Sequence, residues 1–173
     1  MPSYAIHLAV AEEYLRKNEK QTEEYEQFMK GVIYPDSTSD KSQTHYGRCS
    51  SESNLFEFLQ ENTLTDSFKR GYFLHLLTDY LFYNKCIECW SKDIYSDYDI
   101  LNEQLTKTYS VVVPEEAKKN YICFEHDSKL KILSLPVVEK FIDKVSDLDI
   151  DTVAKEVEEL PEKWTRIRPL KKL

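Results

Sequence analysis

The run Gly71-Tyr-Phe-Leu-His75-Leu-Leu-Thr-Asp79-Tyr-Leu-Phe-Tyr-Asn84 is the most apolar helix-like stretch of the chain, and it carries a histidine and a carboxylate four residues apart. On a helix those two side chains leave the same face one turn apart, within reach of one ion. Phe73, Leu74, Leu76, Leu77, Leu81 and Phe82 surround that face, which predicts a helix buried nearly all round. Desolvating Asp79 without a partner would be costly, so a cation or strong donors must face it. Taken alone, such a pair more often is a hydrogen-bonded core histidine beside a satisfied carboxylate. The rest of the chain decides.

At 173 residues the chain has the length of one domain, 1–173, with enough residues for a full core. Three Gly and six Pro are few for that length, and the abundance of Glu, Lys, Leu and Tyr points to an all-α, single-domain helical bundle. The net charge is −8, and no Lys/Arg stripe precedes the last ten residues, so duplex nucleic acid is not an expected partner. Residues 1–15 do not read as a signal peptide, and nowhere do 18 apolar residues run together, so no transmembrane segment and a cytoplasmic location are expected. Four cysteines would then stay reduced. Cys86-Ile-Glu-Cys89 has CxxC spacing but continues a helical pattern and follows no strand, so structural thiols are expected.

Toward the N-terminus, residues 3–18 read as a helix capped by Ser3, with His7 among Ile6, Leu8, Val10 and Ala11. A second helix is expected from Thr22 to Gly31, with Gly31 as its stop. Pro35-Asp36 follows as a turn, and a polar loop, Ser37–Ser53, carries Thr44-His45-Tyr46-Gly47. Asn54–Glu61 is a short helix, Thr63 or Thr65 the next N-cap, and the central helix is expected from Asp66 to Trp90. These residues, about 1–93, hold the candidate ligands. Over about 97–160, Tyr98–Tyr109, Pro114–Phe124, Pro136–Val145 and Asp151–Leu160 read as packing helices. His126, in Glu125-His126-Asp127, has no partner at helical spacing, and Lys163–Leu173 reads as a basic, frayed tail.

His7, Asp36, His45, His75 and Asp79 form an ordered set across the first half of the chain. With the segments around them (His7-Leu-Ala-Val-Ala11, Phe28-Met-Lys-Gly31-Val-Ile-Tyr-Pro35-Asp36-Ser37, Thr44-His45-Tyr46 and Gly71 to Asp79), the set resembles the zinc-dependent phospholipase C family, which is related to the P1-type nucleases. The resemblance implies an all-helical, phospholipase C/P1 nuclease-like fold. It implies that His45, His75 and Asp79 hold one zinc ion and that His7 and Asp36 hold a second, with Asp79 bridging. Imidazoles and carboxylates suit zinc, and manganese or iron would also be accepted. The sequence departs from the family pattern in two places. Tyr80-Leu-Phe-Tyr83-Asn84-Lys85-Cys86 lacks the further His, and no HxxxE follows, so a third zinc site is expected to be absent. Met1-Pro2-Ser3 also lacks the N-terminal Trp ligand of secreted members.

The expectation is a dinuclear metal-dependent hydrolase of a phosphate ester, the substrate being a small ester or a phospholipid, and the resemblance implies Asp36 as base or orienter of the attacking water. The alternative is a non-catalytic metal-binding helical domain serving as an interaction or regulatory module. A phosphohydrolase of the HD type fits less well, because its His-Asp dipeptide occurs only at His126-Asp127. Tyr34, Tyr46, Tyr72, Tyr80 and Tyr83 are rim or core residues depending on their exposure.

Overall fold

The computed structural model describes residues 2–18, 23–118 and 129–172, and these are mainly helical. Helix α1 (Tyr4–Lys17) starts where expected, with the Ser3 hydroxyl accepting from the Ile6 amide at 3.4 Å. Its whole first half, from Tyr4 to Ala11, is buried. Helix α2 (Tyr25–Ile33) begins later than the sequence suggests and runs through Gly31 rather than stopping there. The reason is a helix crossing. A Cβ on Gly31 would lie 1.9 Å from the Phe68 carbonyl oxygen, and one on Gly71 would lie 2.0 Å from that of Phe28. Gly31 is therefore a contact glycine, and it lets two backbones touch.

The loop expected over Ser37–Ser53 is folded into short turns. A 3₁₀ turn spans Tyr34–Ser37, α3 spans Ser42–His45, and a second 3₁₀ turn spans Ser50–Glu52. Asn54 then caps α4 (Leu55–Glu61) through the Glu57 amide. Asp66, not Thr63 or Thr65, caps α5 (Ser67–Leu81), accepting from the Lys69 amide at 2.9 Å. Every residue of α5 from Gly71 to Tyr80 is buried, as its all-round apolarity predicts.

The central helix does not continue to Trp90. After Leu81 the chain makes a π-helical turn over Phe82–Cys86 and then a two-residue strand, β1 (Cys89–Trp90). Contacts from the far end of the chain override the local helical pattern there. The Asn84 side chain donates to the Tyr80 carbonyl at 2.8 Å and accepts the Arg168 amide at 2.8 Å, while β1 pairs in parallel with β2 (Lys171–Lys172). The basic tail is accordingly docked rather than frayed. Tyr80 donates its hydroxyl to the Lys163 carbonyl at 2.9 Å, and Trp164 is buried.

The remaining helices are α6 (Asp93–Thr108), α7 (Glu115–Lys118), α8 (Leu135–Ser146), α9 (Ile150–Glu159) and α10 (Pro161–Trp164). α8 lies along α1, and α9 packs on α4. Cys123, His126 and the end of the helix expected over Pro114–Phe124 lie outside the described residues. Asp97 on α6 is fully buried and accepts the amides of Lys131, Ile132 and Leu133 at 2.9, 2.7 and 2.8 Å. That carboxylate fixes the segment leading into α8. No helix among the described residues is long and apolar enough to cross a membrane.

Candidate metal centre

The α2–α5 crossing does more than close-pack two helices. It brings the Val32 carbonyl, in the last turn of α2, to 2.7 Å from His75 Nδ1. A helix-end carbonyl with no partner in its own helix thereby fixes an imidazole. α1 supplies His7, whose ring stacks on His75 with centroids 3.8 Å apart and planes 5° apart. The Tyr34–Ser37 turn presents Asp36. His45 ends α3, where Tyr46 adopts a left-handed conformation (φ 57°) that turns the chain away while His45 points inward. Tyr72 of α5 anchors α3 by donating its hydroxyl to the Thr44 carbonyl at 2.6 Å.

All five candidates, from four separate segments of chain, thus converge, and none is more than 4% exposed. Their ligating atoms lie close together. His45 Nε2 is 3.0 Å from Asp79 Oδ2, His75 Nε2 is 3.5 Å from the same oxygen, and the two Nε2 atoms are 3.4 Å apart. His7 Nε2 is 3.5 Å from Asp79 Oδ1. Asp36 lies 3.7 Å from His45 Nε2 and 4.0 Å from His75 Nε2.

Proton placement makes this cluster short of donors. A carbonyl oxygen only accepts, so the Val32 contact puts the proton of neutral His75 on Nδ1. His45 Nδ1 faces the Lys41 carbonyl at 3.2 Å, and the nearby Thr44 hydroxyl spends its own proton on the Pro35 carbonyl. Each Nε2 is then a lone pair aimed at another lone pair and at a carboxylate. In addition, both nitrogens of His7, both oxygens of Asp36 and Asp79 Oδ1 are buried with no hydrogen-bond partner among the described residues. Apart from the one N–H that neutral His7 carries, these atoms are acceptors, and acceptors gathered this way repel one another unless a cation lies among them.

The donor set fits a divalent ion. Donors about 2.0–2.2 Å from a tetrahedral zinc stand about 3.3–3.6 Å apart, which is close to the His45, His75 and Asp79 spacings. Two groups have all their ligand atoms within 4.8 Å of one another: His7, His75 and Asp79, and Asp36, His45 and His75. His75 is therefore shared between them, and Asp36 groups with His45 and His75 rather than with His7 and a bridging Asp79. No third group forms among the described residues.

Electrostatics follow from the same burial. Desolvation, with the adjacent His75, lowers the His7 pKa to about 4, so His7 is neutral at pH 7. His75 also feels burial, but a proton on its Nε2 would be donated to Asp79, and this bond with the charges of Asp36 and Asp79 outweighs burial and raises its pKa, so a proton and a metal ion compete for the same position. Three imidazoles hold Asp79 well below the carboxylate range against its own desolvation.

Two supporting residues, Ser53 and Lys41, are not among the candidates the sequence offers. Ser53 Oγ lies 3.2 Å from Asp79 Oδ2, and Lys41 Nζ forms an ion pair with Asp36 Oδ1 at 2.9 Å, without hydrogen-bond geometry, while donating to the Asp36 carbonyl at 2.8 Å. Lys41 stands four residues before His45, a helical spacing that could have marked it. Asp36 and Lys41 also line a cleft of about 1200 Å³ bounded by α6 and the C-terminal segment, so the cluster borders a space large enough for a small molecule. The chain matches no protein-family model, no curated protein and no solved structure.

Proposed function

We propose that the protein is a metal-dependent phosphoesterase, similar in site and helical fold to the zinc-dependent phospholipases C and P1-type nucleases. The observation that carries this is the set of inward-facing acceptors on His7, Asp36, His45, His75 and Asp79 beside a cleft. His7, Asp36, His45, His75 and Asp79 would hold the divalent ions, zinc by the resemblance or else manganese or iron, which would supply polarisation of a phosphoryl oxygen and a water of near-neutral pKa. The protein's own part is positional. Backbone carbonyls fix His75 and His45 in the tautomer that presents Nε2, Ser53 orients Asp79, and Asp36, the one candidate ligand that lines the cleft, takes the proton of the attacking water or orients it.

A soluble phosphate ester fits better than a bilayer lipid. Of the five tyrosines near the motifs, Tyr34 is 45% exposed, whereas Tyr72, Tyr80 and Tyr83 are buried and cannot serve as a membrane-facing rim. One observation favours a second reading, a metal-holding module without turnover: the Lys41 ammonium already neutralises Asp36.

Elemental analysis of protein purified without chelator, for the wild type and His75→Ala, tests the centre. Hydrolysis of p-nitrophenyl phosphate and its bis ester tests the chemistry. The expected result is bound zinc, manganese or iron, lost in His75→Ala, with turnover abolished by chelator. Bound metal without turnover on any ester would select the second reading, and a wild type that neither carries nor takes up metal would sink both.

A further inference from the structure

The cleft beside the cluster has a second set of buried polar atoms that nothing in the metal centre uses. Tyr98 and Asn102 stand one turn apart on α6 and line the cleft, and each is at least nine-tenths buried. The Tyr98 hydroxyl and Asn102 Oδ1 have no hydrogen-bond partner among the described residues. Arg168 lines the same cleft; one of its two terminal nitrogens, Nη2, is committed to the Ile87 carbonyl, and its Nε is likewise buried without a partner among the described residues. Orphaned groups of this kind destabilise a fold, so their clustering at one cleft points to a ligand that completes them.

Their chemistry specifies that ligand. Asn102 Oδ1 accepts, Arg168 Nε donates, and the Tyr98 hydroxyl does either. Burial, with Tyr83 and the Asp79 charge nearby, raises the Tyr98 pKa well above its ordinary value, so Tyr98 is a neutral phenol at pH 7. A carboxylate or ammonium would meet only part of this set. Alcohol hydroxyls, which donate and accept at once, meet all of it. Tyr83, Trp90 and Tyr95 form aromatic walls of the same cleft, faces suited to the C–H surface of a sugar or polyol chain.

We infer that Tyr98, Asn102 and Arg168 form a subsite for a polyhydroxylated alcohol, and that the ester taken by the adjoining cluster is a sugar or polyol phosphate. The phosphate half of this statement rests on the hydrolase reading above; the hydroxyl half stands on the cleft alone. Asp36, which belongs to both the cluster and the cleft wall, joins the two halves.

The test is calorimetric titration of the full chain with two probes of equal length, a hexitol phosphate and hexyl phosphate, for the wild type, Tyr98→Phe and Asn102→Leu. The hexitol ester should bind at least about tenfold tighter than the hexyl ester, because a site built to hydrogen-bond hydroxyls rejects an analogue lacking them. Each variant should weaken hexitol phosphate about fivefold to tenfold and leave hexyl phosphate unchanged. Without ligand, Tyr98→Phe should melt at or above the wild-type temperature, since it deletes an orphaned hydroxyl. Equal or tighter binding of hexyl phosphate, equal weakening of both probes, no binding of either, or a lowered melting temperature in Tyr98→Phe would overturn the subsite. Turnover of the same two esters by metal-loaded wild type separates the two proposals. Hydroxyl-dependent binding without hydrolysis keeps the subsite and sinks the hydrolase, whereas hydrolysis of both esters without preference does the reverse.

Discussion

The Nε2 atoms of His45 and His75 face each other at 3.4 Å, each imidazole having its Nδ1 against a backbone carbonyl. With both imidazoles neutral, two lone pairs face each other beside the Asp79 carboxylate, an arrangement that only a proton on Nε2 or a cation relieves. Adding zinc should therefore raise the melting temperature. At a free concentration about 1,000 times the dissociation constant the gain is about 4 kcal/mol, or roughly 8–16 °C for a chain of this size. Asp79→Asn should lose most of that rise while melting near the metal-free wild type, because an amide can donate to His45 where the carboxylate could not. Differential scanning calorimetry with and without chelator measures this, and an equal zinc shift in both proteins would remove Asp79 from the ligand set.

The same centre depends on two glycines that touch no ligand. A methyl group on Gly71 would sit 2.0 Å from the Phe28 carbonyl oxygen, so Gly71→Ala must push α2 away from α5. Overpacking of this kind costs about 3 kcal/mol. The shift would also stretch the Val32–His75 hydrogen bond, which loosens the imidazole that both ligand groups share. Gly71→Ala is expected to lower the melting temperature by roughly 6–12 °C and to weaken zinc binding at least tenfold. An unchanged affinity in a destabilised protein would mean that the crossing does not position His75.

How much of this was legible in the chain differs from element to element. Ser3 as a cap, the all-round burial of the helix around His75, and the pairing of His75 with Asp79 could be read because each depends on neighbours three or four residues away, whereas His7, Asp36 and His45 stand out only through the resemblance to the phospholipase C family. Gly31 was misread as a stop because a contact glycine and a terminating glycine look alike until the partner helix is known. The end of the central helix was invisible for a related reason: Asn84 ends it by bonding Arg168, which is 84 residues away. The division of ligands between the two groups depends on side-chain positions set by the α2–α5 crossing, which no local pattern encodes.

Asp97 shows how a buried carboxylate can be structural. It accepts three successive amides from Lys131, Ile132 and Leu133. Asp97→Ala leaves those amides without their acceptor, the Leu133 amide in a buried place and the other two partly buried, and should cost about 2–4 kcal/mol, whereas Asp97→Asn, which keeps one acceptor oxygen, should cost about half as much. Neither should change metal content. Urea unfolding paired with elemental analysis checks both, and metal loss in Asp97→Asn would contradict the separation of this carboxylate from the centre.

The thiols should differ in reactivity with a defined pH sign. Cys49 is exposed at the cleft, whereas burial pushes the Cys86 thiol up to about 12. The thiolate is the nucleophile, so at pH 8 only about 1 in 10⁴ molecules presents a Cys86 thiolate, and that fraction rises tenfold per pH unit. Brief iodoacetamide labelling at pH 8 followed by peptide mapping should find Cys49 modified and Cys86 intact. Equal labelling of the two would show that the Phe82–Cys86 turn opens readily.

Asn84 is the joint between the central helix and the C-terminal segment. Its Nδ2 donates to the Tyr80 carbonyl and its Oδ1 accepts the Arg168 amide, both at 2.8 Å, and the pairing of β1 with β2 adds the Lys171 amide on the Glu88 carbonyl at 3.2 Å. Two strand residues on each side cannot hold a tail by themselves. Asn84→Ala removes both side-chain bonds, so the segment carrying Arg168 should open with a free energy lower by about 1–3 kcal/mol. Hydrogen exchange at the Arg168 amide should accelerate roughly tenfold or more, and trypsin should cut after Arg166 sooner than elsewhere, the Arg168–Pro169 bond being resistant to it. Because Arg168 also lines the cleft, the variant should weaken binding of a hexitol phosphate without changing the metal content. Unchanged exchange at Arg168 would mean that the remaining contacts, Trp164, the Tyr80 hydroxyl, the Arg168–Ile87 bond and the β1–β2 pairing, hold the tail without Asn84, and that the ending of the central helix has another cause.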